Sequence, residues 1–176
     1  MVVRVAIVGH SQLPVIADYE DIKITRYFRP GAKLDYIDDR ECASLLRRSW
    51  DIVIIFLGGN DICQTNPNLV ADRALAIVRR LNAHEVFLVN AETRVYYPAR
   101  AAQFEITTEE YQIRANAYNQ RLKRLARSTK VFRSVHLPPG YSANSGDGIH
   151  FNTRGKLALI AKFKRTIANA KARLPQ

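Results

Sequence analysis

The sequence predicts a doubly wound α/β sandwich, and three observations carry that prediction. Five apolar, β-branched runs alternate with or precede helical patterns, and strands alternating with helices build a parallel sheet. The third run, D-I-V-I-I-F-L at 51–57, is almost wholly apolar, as a strand covered on both faces requires. The length of 176 residues suits one domain with a substantial core, and no linker, internal repeat or low-complexity tract divides residues 1–176.

The elements follow in order. A first strand is expected at Val2–Val8 and a second at Ile22–Tyr27, then a helical pattern at Leu34–Arg48 and the third strand at Asp51–Leu57. A second helix is expected at Pro67–Asn82 and a fourth strand at Glu85–Asn90, followed by a loop, E-T-R-V-Y-Y-P-A-R-A-A-Q-F-E-I, at Glu92–Ile106. The third helix is placed at Thr108–Ser128: Thr107 or Thr108 can cap it, and Glu109 and Glu110 complement the positive end of its dipole. A last strand at Lys130–Val135 and a last helix at Thr153–Leu174, capped by Asn152 or Thr153, complete the pattern.

Composition narrows the setting. Hydrophobic residues make up 47% of the chain, and no apolar run approaches the ~20 residues that span a bilayer, so a soluble protein is expected. The N-terminal apolar stretch is too short for a signal segment and has no small-residue cleavage site behind it. Cys42 and Cys63 make neither a disulfide framework nor a metal-ligand spacing, which favours a reducing, cytoplasmic compartment. The charge is less ordinary: 27 Lys and Arg against 16 Asp and Glu give +11 and a pI near 10.0, a surplus that favours polyanionic partners. Basic residues gather in the last two helical patterns, at Arg114, Arg121, Lys123, Arg124 and Arg127, then at Lys156, Lys162, Lys164, Arg165, Lys171 and Arg173. They read either as solvated faces or as a patch for nucleic acid or an anionic membrane. No sequence-reading module accompanies them, so any nucleic-acid contact should be to backbone phosphates and should weaken with salt.

In a doubly wound sheet, ligands bind beyond the carboxyl ends of the strands. The first strand is followed there by G-H-S-Q, the second by R-P-G-A, the third by G-G-N-D and the last by P-P-G-Y-S-A-N-S-G-D-G-I-H-F-N. Acyl transfer needs a nucleophile, a base, a group to hold the base and donors for an oxyanion. Ser11 can be the nucleophile, His150 the base and Asp147 its orienting carboxylate. The donors would be the Ser11 and Gly31 backbone N–H groups and the Asn60 side-chain amide; glycine lets the backbone come close, and the amide is a neutral donor. Each piece also has a plainer reading. A serine after a strand is more often a helix cap than a nucleophile, G-G-N-D is usually a turn, and a histidine near a helix start is most often structural. Arrival of all four loops in order at one sheet edge favours the catalytic reading.

These residues resemble the four blocks of the SGNH hydrolase superfamily, the GDSL-like esterases and lipases: G-x-S after the first strand, a loop glycine after the second, G-x-N-D after the third and D-x-x-H before the terminal helix. The resemblance runs from Val5 to about Ala161. It implies a three-layer α/β/α sandwich with a central five-stranded parallel sheet, flavodoxin-like in its winding. By position, Ser11 matches the nucleophile, Gly31 and Asn60 the oxyanion donors, and His150 the base with Asp147 as partner, while Gly58, Gly59 and Asp61 frame the asparagine. No metal or cofactor is implied. One departure stands out: the family usually has Asp between the glycine and the serine, and here the residue is His10. As an alternative base His10 is disfavoured, since neighbouring side chains on an extended segment point apart. The G-H-S variant is similar to esterase domains within the first open-reading-frame proteins of LINE retrotransposons. The resemblance implies a serine esterase, and since the sequence offers no long apolar insertion to act as a lipase lid, a compact site for short-chain, acetyl-type esters is expected; the alternative is a catalytically silent SGNH-fold module that binds nucleic acid or an anionic surface. His10, Gly59, Arg94 and Tyr96 are expected at the substrate pocket, with Tyr97 and Arg100 as further candidates.

Overall fold

The computed structural model describes residues 2–96, 98–137 and 147–175, with 98–100 by their backbone alone. Strands β1 (Val3–Gly9), β2 (Ile22–Phe28), β3 (Ser49–Phe56), β4 (Asn82–Val89) and β5 (Arg133–Val135) form one parallel sheet in the order β2-β1-β3-β4-β5. With them run helices α1 (Ala43–Arg47), α2 (Pro67–Val78), α3 (Pro98–Phe104), α4 (Thr108–Thr129) and α5 (Thr153–Lys171). This is the three-layer α/β/α sandwich that the sequence leads one to expect.

Alternation along the strands explains why both faces need covering. Val5, Ile7, Ile52, Ile54 and Phe87 share one core with Leu159, Phe163 and Ile167 of α5. The intervening residues Ala6, Val8, Val53, Ile55 and Leu88 share the other with Val70 and Ala74 of α2 and Tyr111, Tyr118 and Leu122 of α4. Each buried Val, Leu or Ile contributes roughly 1.5 to 3 kcal/mol, so β1 and β3 are the best-anchored strands. The helices obey the matching period. In α5, Gly155, Leu159, Phe163, Ile167 and Ala170 are buried, and in α4 Tyr111, Ala115, Tyr118, Leu122 and Leu125 are, spacings of three and four that form one stripe. The caps resolve to Thr107, whose hydroxyl accepts the Glu110 N–H at 3.1 Å, and Asn152, whose side chain accepts the Gly155 N–H at 2.8 Å.

Register then sets the working edge. Gly9 pairs with Phe28 on one side and Phe56 on the other, so the loops after β1, β2 and β3 leave the sheet at one level. The chain departs from β1 first to one neighbour and later to the other, and the carboxyl ends of β1 and β3 flank the resulting crevice.

Several boundaries differ from the sequence expectation. The stretch expected as a helix at Leu34–Arg48 forms two 3₁₀ turns, Leu34–Asp38 and Arg40–Cys42, before the short α1. Asp39 between them is extended, its carboxylate paired with Arg29, while Asp38 pairs with Arg80; these acids are satisfied by partners outside the helix they would have joined. Helix α2 stops at Val78, and β4 already begins at Asn82, the residue expected to end the helix. Lys130 does not open β5; it closes α4 in the left-handed conformation, φ 57°. The expected loop at Glu92–Ile106 contains α3, opened by Pro98, where a missing N–H costs nothing. Part of the basic surface is neutralised locally: Arg121 pairs with Asp72, Lys171 with Asp21 and Arg173 with Glu85. Among the described residues no helix is long and apolar enough to cross a membrane.

Gly58, which follows β3 and Leu57, has φ +102°, and a Cβ there would lie 2.4 Å from the Tyr118 hydroxyl. Gly58→Ala therefore combines backbone strain of about 1 to 3 kcal/mol with a collision into a buried ring, and a clear fall in the urea midpoint relative to the parent is the expected measurement.

Candidate active site

Each site residue is placed by a local device. Gly9 ends β1 where a Cβ would press on Leu13 and on the Phe56 carbonyl, both at 3.2 Å. A turn follows, closed by the Leu13 N–H donating to the His10 carbonyl at 2.9 Å, and Ser11 and Gln12 are its two central residues. After β2 a second turn is closed by the Ala32 N–H on the Arg29 carbonyl at 3.1 Å. Its central pair is Pro30 and Gly31, with Gly31 at φ +71°, the proline-then-glycine order that a turn with positive φ at its third residue requires. A Cβ on Gly31 would meet nothing within 4 Å, so conformation rather than crowding selects the glycine.

After β3, the Asp61 and Ile62 N–H groups both donate to the Gly58 carbonyl at 3.1 Å, and this turn turns the Asn60 side chain toward its neighbours. Asn60 Nδ2 donates to the Ala32 carbonyl at 2.9 Å, and Asn60 Oδ1 accepts from Arg94 Nη1 at 2.9 Å. The two bonds fix which end of the amide donates, and one Nδ2 hydrogen is left over. Asp61 takes the Leu34 N–H on both oxygens at 3.2 Å; burial pushes its carboxyl above the usual range, opposed by that N–H. No acceptor among the described residues takes the Ser11 or Gly31 backbone N–H.

The last loop carries the base candidate to the first. His150 Nε2 lies 2.9 Å from Ser11 Oγ across 139 residues, and His150 Nδ1 lies 2.5 Å from Asp147 Oδ2. The other Asp147 oxygen accepts the Ile149 and His150 N–H groups at 3.0 and 2.9 Å, which is how a carboxylate only three residues away folds back to the ring. Ser11, Gly31, Asn60, Arg94 and His150 line one cavity of about 400 Å³, with Lys33, Cys63, Gln64 and Phe104 in its wall. A hydroxyl bonded to an imidazole, itself bonded to a carboxylate, beside neutral N–H donors is an arrangement able to run acyl transfer.

Three residues expected at the pocket do not line it. His10 is buried behind it, its ring 4.7 Å from that of Phe56, with Nδ1 accepting the Gln12 N–H at 3.4 Å. Burial pushes its pKa down to about 4, so the ring is neutral at neutral pH. Gly59 sits against the Arg94–Glu92 pair, where a Cβ would come 3.0 Å from Arg94 Nη2 and 3.1 Å from Glu92 Oε2. Tyr96 is buried as well, its hydroxyl 3.4 Å from Arg94 Nη1 and 3.5 Å from the Cys63 thiol. Tyr97 and the Arg100 side chain lie outside the described residues.

The sequence reading gave no role to Glu92. Its carboxylate accepts Arg94 Nε at 2.7 Å and is ion-paired to the same guanidinium, with both side chains almost fully buried. Burial favours the neutral acid, but the charge of Arg94 holds the Glu92 carboxyl below its usual range. The signal was a carboxylate and an arginine at alternate positions of an extended segment, which places them on one side.

The GDSL-like lipase/acylhydrolase family model matches residues 23–158, a stretch that takes in Gly31, Asn60, Asp147 and His150 and begins after Ser11. The fold is shared with the aryl esterase of M. smegmatis, at 17% identity and a TM-score of 0.73 over 96% of this chain and 99% of that one. A carbohydrate acetylesterase from Sinorhizobium meliloti superimposes with a TM-score of 0.72, again at 17% identity, over 95% of this chain and 99% of its own. No curated protein matches the chain in sequence.

The state of His10 has a pH consequence. Its folded pKa lies below the unfolded value of 6.5, so between those pH values the unfolded chain binds the extra proton, and acid favours unfolding. The stabilisation is complete above pH 6.5 and drains away as the pH falls toward 4, on the order of 3 kcal/mol in all. Urea midpoints taken across that window should fall less steeply for His10→Gln than for the parent.

Proposed function

Since the chain belongs to the GDSL-like lipase/acylhydrolase family, we propose that it is a serine esterase that removes short acyl groups, acetyl above all, through an acyl-enzyme on Ser11. One observation carries the reading: the Ser11 hydroxyl at 2.9 Å from His150 Nε2, at the wall of a cavity that Asn60 and Gly31 share.

His150 Nε2 takes the Ser11 proton as Oγ attacks the ester carbonyl carbon, and the carbonyl π electrons move onto oxygen. The oxyanion is met by the Ser11 and Gly31 N–H groups and the free hydrogen of the Asn60 amide. Arg94 holds Asn60 Oδ1 throughout, so the amide cannot flip its acceptor toward the developing charge. As the tetrahedral intermediate collapses, the imidazolium returns its proton to the departing alkoxide, and the acyl group stays on Ser11. Water then attacks the acyl-enzyme with His150 again as base and frees the acid. Asp147 keeps the ring proton on Nδ1 and stabilises the imidazolium in both halves.

Two things support a small acyl group. The cavity of about 400 Å³ stands near the lower end of the range for ligand pockets, ~300 to 1,000 Å³, and one of the fold neighbours is a carbohydrate acetylesterase. The substrate class is therefore a small ester or an acetylated molecule. Neither the narrower likeness of G-H-S to LINE proteins nor the basic surface enters this reading.

A fluorophosphonate should label the wild type at Ser11 and leave Ser11→Ala unlabelled, with kcat for p-nitrophenyl acetate falling by about 10⁶-fold. Rates should decline from acetyl to longer p-nitrophenyl esters. An unlabelled wild type overturns the esterase reading, and faster turnover of long chains overturns the substrate class.

A further inference from the structure

We propose that Gln12 is a positioning residue: its side-chain amide clamps the backbone on both sides of His150 and thereby sets the distance between that ring and Ser11. Gln12 is 1% exposed although polar, and it is covalently next to the proposed nucleophile. Its Nε2 donates to the Ile149 carbonyl, and its Oε1 accepts the Phe151 N–H at 2.8 Å. The two partners flank His150, so one amide pairs with the histidine's neighbours as a strand residue would.

Three other backbone groups of that loop have different partners. Asp147 takes the Ile149 and His150 N–H groups, and the Gly148 carbonyl accepts the Val95 N–H at 2.8 Å. Among the described residues, only Gln12 ties this loop to the turn that carries Ser11 by hydrogen bonds on its backbone. The turn is itself closed by the His10 carbonyl and Leu13 N–H, so the amide is anchored at its root. Ser11 and Gln12 thus reach His150 by two parallel routes: side chain to ring, and side chain to the peptide groups that bear the ring.

The chemistry demands an amide. An aliphatic side chain of the same length would leave a buried carbonyl and a buried N–H without partners. A carboxylate would still accept from Phe151 but would set its second oxygen against the Ile149 carbonyl, until a proton restores the donor. The turnover readout rests on the esterase reading; the clamp itself does not.

The test compares wild type, Gln12→Met and Gln12→Glu, each confirmed folded by circular dichroism. Gln12→Met should lower kcat for p-nitrophenyl acetate about 100-fold, the scale of a 1 Å misplacement, with KM little changed and labelling at Ser11 slowed in parallel. Gln12→Glu should be impaired at pH 8, and its rate relative to wild type should recover as the pH falls toward 5. Amide exchange at Phe151 should be slow in the wild type and accelerated in Gln12→Met, whether or not any ester is hydrolysed. Wild-type kcat in folded Gln12→Met, a rate ratio for Gln12→Glu that is flat with pH, or unchanged Phe151 exchange overturns the clamp. If the wild type is not labelled, the esterase reading falls alone and Phe151 exchange still decides on Gln12. If Gln12→Met does not fold, the pH response and Phe151 exchange of Gln12→Glu decide it.

Discussion

Everything at the working edge depends on the pairing of β1 with a neighbour on each side. A strand hydrogen-bonded along both edges and buried on both faces has no freedom to slide, because a one-residue slip would exchange the side chains of the two cores. The level at which Gly9 meets Phe28 and Phe56 is thereby fixed by the burial of Val5, Ala6, Ile7 and Val8. Three loops inherit that level, and the short turns at Ser11, Gly31 and Asn60 convert it into a common floor. The fourth loop does not come from this strand group. It is brought in by α5, whose buried stripe docks on the face opposite α2 and α4.

A second constraint is electrostatic. Arg94 and Glu92 are enclosed together, and such a pair is tolerated only when both charges are matched and hydrogen-bonded. Their partners are divided unevenly: the guanidinium reaches Glu92, Asn60 and Tyr96, whereas Glu92 Oε2 has no hydrogen-bonding partner among the described residues. With its charge cancelled, the arginine acts on the cavity mainly through the orientation of Asn60. The other cation in the wall, the ammonium of Lys33, is bonded to the neutral Gln64 amide at 2.9 Å.

How much of this was legible in the sequence depended on the range of the interaction. The strand cores β1 and β3 were readable because burial on both faces leaves an unbroken apolar run, and α4 and α5 because one buried stripe repeats every three or four residues. Ser11, Gly31, Asn60 and His150 were grouped by the rule that loops gather at the carboxyl edge, and they line one cavity. Leu34–Arg48 was not readable, since its acids are drawn to Arg29 and Arg80, contacts that no period records. His10 and Tyr96 were assigned to the pocket by proximity in sequence, yet a side chain one residue from a site can point into the core behind it. The amide of Gln12 was equally hidden, because its partners lie in a loop that only α5 delivers. His10 stands where the family usually carries Asp, and the hydrogen bonds from the Ser11 turn to the backbone of the His150 loop are made by Gln12, the residue on the other side of the serine.

The separation of Ser11 and His150 by 139 residues also bears on the order in which the chain matures. The serine and its turn belong to the first strand to be made, whereas the histidine reaches it only when the last helix packs against β1 and β3. Closing so long a loop is among the slower steps available to a folding chain. Partly folded chains, with the sheet begun and α5 still undocked, would therefore carry the serine hydroxyl without the base beside it. The Ser11–His150 contact thus comes into being together with the finished core.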